Sequence, residues 1–318
     1  MPTKPTETSL IYESNSPDQN PAIVYLAGLS TKDSRRTMQS ALNTIAELLT
    51  GVPDALVCRW GALRIQHTMA IRGRLIDLYK PATVNKFLSA LRGVLKSAWL
   101  LGEMTAEEYQ KAITIPSVKN ATLPAGRELI MAELVALMGV CRADESASGI
   151  RDAAILAILY SAGLRRAEIV GLDLSDYSLR EERLLVRGKG GKERLAWLNR
   201  GAVAAMQDWL TIRGDESGPL FMPINKSNRL MERRLTTQAI YHILKKRGEE
   251  AAVEDFSPHD FRRTFVSNLL DAGADISTVS KMAGHSNVQT TARYDRRPEE
   301  AKRRAADLLH VPYKRREE

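Results

Sequence analysis

The sequence predicts a mainly α protein built as two domains, with one small β-sheet or hairpin in the second. Three observations carry this. Apolar residues recur at three- and four-residue steps through most of the 318-residue chain. Prolines and glycines punctuate that pattern near residues 116–126. Arg183 to Leu198 alone reads as two short apolar runs about a glycine-rich tip, Gly188-Lys189-Gly190-Gly191.

Residues 1–20 are rich in Pro, Ser, Thr and Asn and read as a disordered tail. Residues 21–115 read as a helical domain with no strand-like alternation. Its clearest helix is Ala82 to Leu101, where Val84, Phe87, Leu88, Leu91, Leu95 and Ala98 form one apolar stripe. Asn85, Ser89, Arg92 and Lys96 line the other side, with Lys86 beside them. That line fits a solvated face or a helix laid along a phosphate backbone. Residues 116–126, with Pro116, Lys119, Pro124 and Gly126, read as the linker, and the cations there and at Arg127 could follow DNA. Residues 127–318 form the second domain. Glu128 to Val140 is an amphipathic helix and Gly149 to Ser161 a mostly apolar, buried one. The hairpin follows, then helices at about Arg200–Thr211, Thr236–Arg247 and Ser257–Ala272, with shorter ones to the C-terminus.

Composition excludes several classes. The chain has 46 Lys+Arg against 38 Asp+Glu, a net +8, with 44% hydrophobic and 26% charged residues, as a globular protein does. Two cysteines, Cys58 and Cys141, make neither a disulfide framework nor a multi-thiolate zinc site and suit a reduced, intracellular protein. The most apolar stretch, Ala153 to Leu164, falls far short of the ~20 residues a membrane span needs. The polar N-terminus carries no apolar signal core. The positive balance hints at a polyanion such as nucleic acid, though charge alone is weak support.

Four segments could carry chemistry. In Ser257-Pro258-His259-Asp260-Phe261-Arg262-Arg263, Ser257 and Pro258 suit a helix start. His259 and Arg262 are three apart, so an imidazole and a guanidinium share one face near a helix N-terminus, where anions are favoured. Helical phase favours Arg262 over Arg263. In Gly163-Leu164-Arg165-Arg166-Ala167-Glu168 a turn opens a helix, and Glu168 is placed to orient Arg165. The hairpin tip presents Lys189 between glycines, with Lys192 just beyond, and a lysine there can deliver a proton. Last come Gly284-His285-Ser286-Asn287 and Tyr294, where Ser286 can cap a short helix. Arg293, Arg296 and Arg297 around Tyr294 favour its phenolate. Each segment alone also fits an ordinary cap, ion pair, exposed turn or surface tyrosine.

In this order, GLRRAEI, GKGGKER, PHDFRRTF and GHSN followed by Tyr294 resemble the tyrosine recombinase/integrase family, the λ-integrase and Xer-type site-specific DNA recombinases. The resemblance covers about Arg127 to Tyr313; TVNKFLSALRGVLKSAW looks like a helix of the family's core-binding domain. It implies a helical, SAM-like core-binding domain before a mostly helical catalytic domain with a small sheet. It implies that Tyr294 attacks a DNA phosphodiester to give a 3′-phosphotyrosyl link, without ATP, metal or cofactor. Arg165 and Arg262 then match the phosphate-gripping arginines, and Lys189 the lysine that protonates the leaving oxygen, with Lys192 as alternative. His259 matches the proton acceptor, His285 a donor to the phosphate, and Glu168 the acid that orients the first arginine. Lys86, Arg92, Lys96 and Lys119 are the candidate backbone contacts. The implied partners are double-stranded DNA core sites and a homotetramer in the synaptic complex, from a monomer or weak dimer when free, with Glu299 to Glu318 docking on a neighbour. The implied location is cytoplasmic, at the nucleoid. A topoisomerase IB-like nicking-closing enzyme, or an inactive DNA-binding regulator, are the alternatives.

Overall fold

A computed structural model of the chain describes residues 17–119, 126–188, 190–285, 287–292, 294, 306 and 312. It divides into two compact units, residues 1–123 and 124–318, so the division falls inside the 116–126 stretch.

The first unit is helical: α1 (Pro21–Ala27), α2 (Lys32–Thr50), α3 (Ile65–Leu78), α4 (Pro81–Leu100) and α5 (Ala106–Ile113). Proline is tolerated at the first position of α1 and α4 because that N–H has no intrahelical partner to lose. All six stripe residues of α4 are buried, Phe87 at 6% exposure and the rest at zero. They meet α1 and α2, and Trp60 closes the core, its indole N–H donating to the Ala55 carbonyl at 2.8 Å. Residues 17–20, read as part of the tail, are ordered. Residues 17–19 make a 3-10 turn, and the Asn20 side chain caps α1 while donating to the Leu56 carbonyl. A buried cap tied to a carbonyl 36 residues away cannot stay loose. The expectation for residues 1–16 lies outside the described residues.

Part of the polar line on α4 also has a partner within this unit. Asn85 exchanges two hydrogen bonds with Val118, both 2.8 Å, and Arg92 donates to the Ile115 carbonyl. From α3, Arg72 donates to the Pro116 carbonyl. The first residues read as linker are thus clipped to the helices; residues 120–125 lie outside the described set.

The second unit begins on an extended segment. The Arg127 amide donates to Asp260, the Leu129 amide to Thr264 and Ser267 to Glu128, so residues 127–129 run along a later helix, α11 (Pro258–Asp271). This is why α6 is Met131–Ala143 and starts three residues later than the amphipathic pattern alone suggests. Arg127, read as a cation free to follow DNA, is instead spent on Glu133 and the Glu254 and Asp255 carbonyls.

α7 (Ala147–Ala162) runs through the centre and packs on α6, α11 and α9 (Arg200–Arg213). The short α8 (Arg166–Gly171) leads into an antiparallel sheet of β1 (Tyr177–Ser178), β2 (Arg183–Arg187) and β3 (Glu193–Trp197). The hairpin is as expected. Strand β1 is not foreseen, because two residues are too few to show alternation. The register pairs Leu184 with Ala196 and Val186 with Arg194, so the buried face carries Leu184, Val186 and Ala196, and Arg194 points the same way. α10 (Thr237–Glu250), α11, α12 (Ile276–Ala283) and α13 (Val288–Ala292) follow. Among the described residues no helix is long and apolar enough to cross a membrane.

The most buried ionic cluster lies away from the sheet. Arg247, 1% exposed, binds Asp152, Asp144 and Glu250, while Arg151 holds the other oxygen of Asp152. Burial opposes ionisation of Asp144, but hydrogen bonds from Ser146 and Arg247 outweigh it and hold the carboxyl down at about 2.

Candidate active site

Four pieces of the second unit converge. α7 ends at Gly163, whose φ of +58° turns the chain so that Arg165 becomes the N-cap of α8. Glu168, at the third position of α8, accepts the Arg165 amide at 2.9 Å and its guanidinium at 2.7 Å. The same carboxylate receives both terminal nitrogens of Arg194 from β3, at 3.1 and 2.9 Å. Burial opposes the charge on Glu168, but Arg194 and Arg165 more than compensate and hold its carboxyl below the usual range.

The end of α12 joins them. Arg194 Nε donates to the Met282 carbonyl at 3.0 Å and Arg165 Nη2 to the Gly284 carbonyl at 3.2 Å. Gly284 takes a left-handed φ of +63°, and a Cβ there would lie 3.1 Å from the Arg194 side chain. Immediately after it, His285 Nδ1 is 2.8 Å from the Thr291 hydroxyl.

α11 supplies the third arm. Asp260 takes the Ser257 amide and hydroxyl, each at 2.8 Å, which fixes the start of the helix. Phe261 and Phe265 face the core, and Arg262, 2% exposed, donates to the Gly163 carbonyl at 2.8 Å. Its second terminal nitrogen is buried without a hydrogen-bond partner among the described residues. Such a donor calls for an acceptor beyond the described residues. Burial and the nearby Arg165 push the Arg262 guanidinium down to about 10, so it stays charged at neutral pH. Arg165 itself keeps 44% of its side chain open.

The two imidazoles are kept neutral. Burial, Arg262 and Arg165 push His285 down to about 4. Burial and Arg262 lower His259 as well, although much of that residue remains exposed at the mouth of a cleft with Arg166 and Tyr241. The Tyr294 ring stacks on His285 with centroids 6.3 Å apart and planes 19° from parallel. The Arg263 guanidinium lies 5.3 Å from the centre of the Tyr294 ring.

The structure therefore brings Arg165, Glu168, His259, Arg262, His285 and Tyr294 together. Lys189, Ser286, Arg293, Arg296, Arg297 and the segment 299–318, apart from Ala306 and Pro312, lie outside the described residues. Lys192 is exposed, and its carbonyl closes the hairpin turn with the Gly188 amide at 2.7 Å. The root of that turn is at the site, since a Cβ on Gly188 would stand 3.9 Å from Glu168 Oε1. Two residues of the site are not legible in the sequence. Arg194 is hidden because its inward direction depends on the β2–β3 register. Helical phase turns Arg263 away from Arg262, yet Tyr294 comes round from another segment to meet it. In the first unit Lys86, Lys96 and Lys119 are exposed or half-buried, and so is Arg92. Among the described residues no His, Cys, Asp and Glu side chains gather as metal ligands would.

The chain is similar to known proteins. The profile of the phage integrase family matches residues 128–300. The tyrosine recombinase XerD of Pseudomonas aeruginosa is 34% identical over 223 residues, covering 70% of this chain and 73% of its own. A tyrosine recombinase of Synechocystis sp. is 30% identical over 296 residues, 87% of this chain and 90% of the relative. Among solved structures, the Tn1549 transposon integrase in complex with transposon right end DNA superposes with a TM-score of 0.68 at 16% identity, over 91% of this chain and 99% of that one.

Proposed function

Because the chain belongs to the phage integrase family of tyrosine recombinases, and is a tyrosine-type site-specific DNA recombinase, we propose that its chemistry runs through Tyr294, held between Arg263 and His285 beside the Arg165–Arg262 pair. The phenol oxygen attacks a DNA phosphorus, the bond to the 5′-oxygen breaks, and a 3′-phosphotyrosyl link is left. The energy of the broken bond is kept in that link, so resealing by a 5′-hydroxyl needs no nucleotide. Arg165 and Arg262 present planar donors to the non-bridging oxygens, where charge builds in the transition state. The Arg262 nitrogen, buried and without a hydrogen-bond partner among the described residues, is the single observation that carries this assignment: it is a donor suited to an anionic acceptor.

His259, neutral at pH 7, accepts the phenol proton. His285, also neutral, donates one N–H to the phosphate without adding charge. Lys189, or Lys192 in its place, supplies the proton to the leaving 5′-oxygen from a hairpin whose root adjoins Glu168. The first unit serves as the core-binding domain, with residues 21–115 ahead of a linker at 116–126 and a catalytic domain at 127–318. Lys86, Arg92, Lys96 and Lys119 are assigned to the DNA backbone. Strand exchange takes place on duplex core sites in a homotetramer, with residues 299–318 docking on a neighbour, in the cytoplasm at the nucleoid.

The test is covalent capture from a library of nicked duplexes with randomised cores, where the nick lets the short fragment that bears the new 5′-hydroxyl escape. Wild-type protein is expected to accumulate a protein–DNA adduct, and Tyr294→Phe none. An adduct formed by Tyr294→Phe would refute the assignment.

A further inference from the structure

Arg194 lies on the inward face of β3, opposite Val186 and in line with Ala196. A charged side chain on that face needs partners, and it has two, joined by three hydrogen bonds. Both terminal nitrogens reach Glu168, and Nε reaches the Met282 carbonyl at 3.0 Å. Only 13% of the side chain is exposed, against 44% for Arg165. Glu168 is the acceptor both arginines share. Its Oε1 takes Arg165 Nη1 and Arg194 Nη1; its Oε2 takes the Arg165 amide and Arg194 Nη2.

This sharing sets what Arg165 has left for a substrate. With Arg194 in place, the carboxylate is neutralised largely by a guanidinium that solvent barely reaches. Arg165 then remains a net cation, anchored by one guanidinium bond to Glu168 and one to the Gly284 carbonyl. Without Arg194, a carboxylate with 5% of its side chain exposed would have Arg165 as its cationic partner. Arg165 would be drawn into a closed ion pair, and the site would lose one positive charge. The Met282 carbonyl would lose its donor, at the turn that leads to His285.

We propose that Arg194 is a positioning residue: by occupying Glu168 and tying β3 to the end of α12, it keeps the Arg165 guanidinium open and aimed at the scissile phosphate. This rests on the recombinase chemistry proposed above. In that step the Tyr294 oxygen bonds to phosphorus, the phenol proton passes to a base, and the 5′-oxygen leaves with the electron pair of its broken bond and takes up a proton. Arg194 touches none of these atoms. It acts on the charge that faces the non-bridging oxygens.

The experiment measures single-turnover adduct formation on a nicked duplex recovered by the covalent capture above. A second duplex carries a methylphosphonate at the scissile position, where one charged non-bridging oxygen is replaced by a neutral methyl and the demand for cationic donors falls. Arg194→Gln is expected to slow cleavage of the ordinary phosphodiester by roughly 10–100-fold, the size seen when the partner that orients a functional group is lost. On the methylphosphonate its deficit relative to wild type shrinks to within about 3-fold, because the lost charge no longer matters. Arg194→Lys keeps the charge without the paired geometry and falls between the two; it also carries the test if Arg194→Gln does not fold. Wild-type rates for both variants on the phosphodiester overturn the proposal. So does an equal deficit on both substrates, which marks a purely structural loss. A wild-type protein that forms no adduct at all overturns the recombinase chemistry, and the role of Arg194 with it.

Discussion

Gly163 is where the fold and the proposed phosphate grip meet, and Gly163→Ala separates two costs that are usually confounded. Its φ is +58°, a left-handed conformation that costs a residue with a Cβ about 1–2 kcal/mol. A Cβ there would also lie 2.3 Å from Phe265 Cδ1. Phe265 is 4% exposed on α11, so it can yield only by moving its own neighbours. Overpacking of this kind adds about 1–3 kcal/mol. The expected total is about 2–5 kcal/mol. At roughly 2–4 °C per kcal/mol for a domain of this size, the thermal midpoint of the second unit should fall by roughly 4–20 °C. The control is Gly273→Ala, at a φ of +94° with no atom within 4 Å of its Cβ, which should lose only the conformational part, about 1–2 kcal/mol. Urea and thermal unfolding of both variants supply the comparison. Equal losses at the two positions would show that the approach of Phe265 costs nothing. Since the Gly163 carbonyl accepts from Arg262, the variant that survives should also cleave more slowly than its stability predicts.

Three further outcomes follow from the electrostatics. Arg247→Met takes the cation from Asp144 and leaves Asp152 with Arg151 alone, so it should cost about 1.5–3 kcal/mol in urea unfolding, the worth of the lost charge-assisted hydrogen bonds; a loss below about 0.5 kcal/mol would mean that Arg151 and water replace it fully. His259 is proposed as the base and has a lowered pKa, so adduct formation should hold from about pH 8 down to about pH 6.5 and fall below it, and the fall should vanish in His259→Gln. Burial and the facing arginines push folded His285 down to about 4 from its ordinary 6.5, so the unfolded chain binds the extra proton between these values. Stability is then retained above pH 6.5 and lost as pH drops toward 4, and the drop in urea midpoint between about pH 7.5 and about pH 5 should be smaller in His285→Phe.

Most of the fold is legible in the sequence because its signals are local. The apolar stripe of α4 and the Ser257-Pro258 start of α11 need only nearby residues to be read. So does the Arg165–Glu168 pair, three residues apart. What stays hidden depends on distant partners. Arg247 meets Asp152 across 95 residues and Asp144 across 103, and nothing in the amphipathic pattern of α10 marks that arginine as buried. The polar line on α4 offers two readings, solvent or DNA, and the structure adds a third. Asn85 and Arg92 hold the chain just after α5, 33 and 23 residues away.

The same distinction explains the make-up of the site. Each of the residues read from the motifs touches phosphate or protons in the proposed chemistry, or orients one that does, and reaction chemistry restricts the residue type that can stand there. Arg194 and Arg263 act on other side chains, and a supporting role is set by geometry that only the folded chain has. Arg194 shows how strongly the two kinds depend on each other. Two guanidiniums and one carboxylate carry a net single positive charge, and which arginine presents it is decided by burial. Exchanging the exposures of Arg165 and Arg194 would leave composition and net charge untouched and move the available cation from the mouth of the site to its floor. The net +8 of the chain is therefore a poor guide to phosphate binding; the placement of Glu168 between its two arginines is the better one.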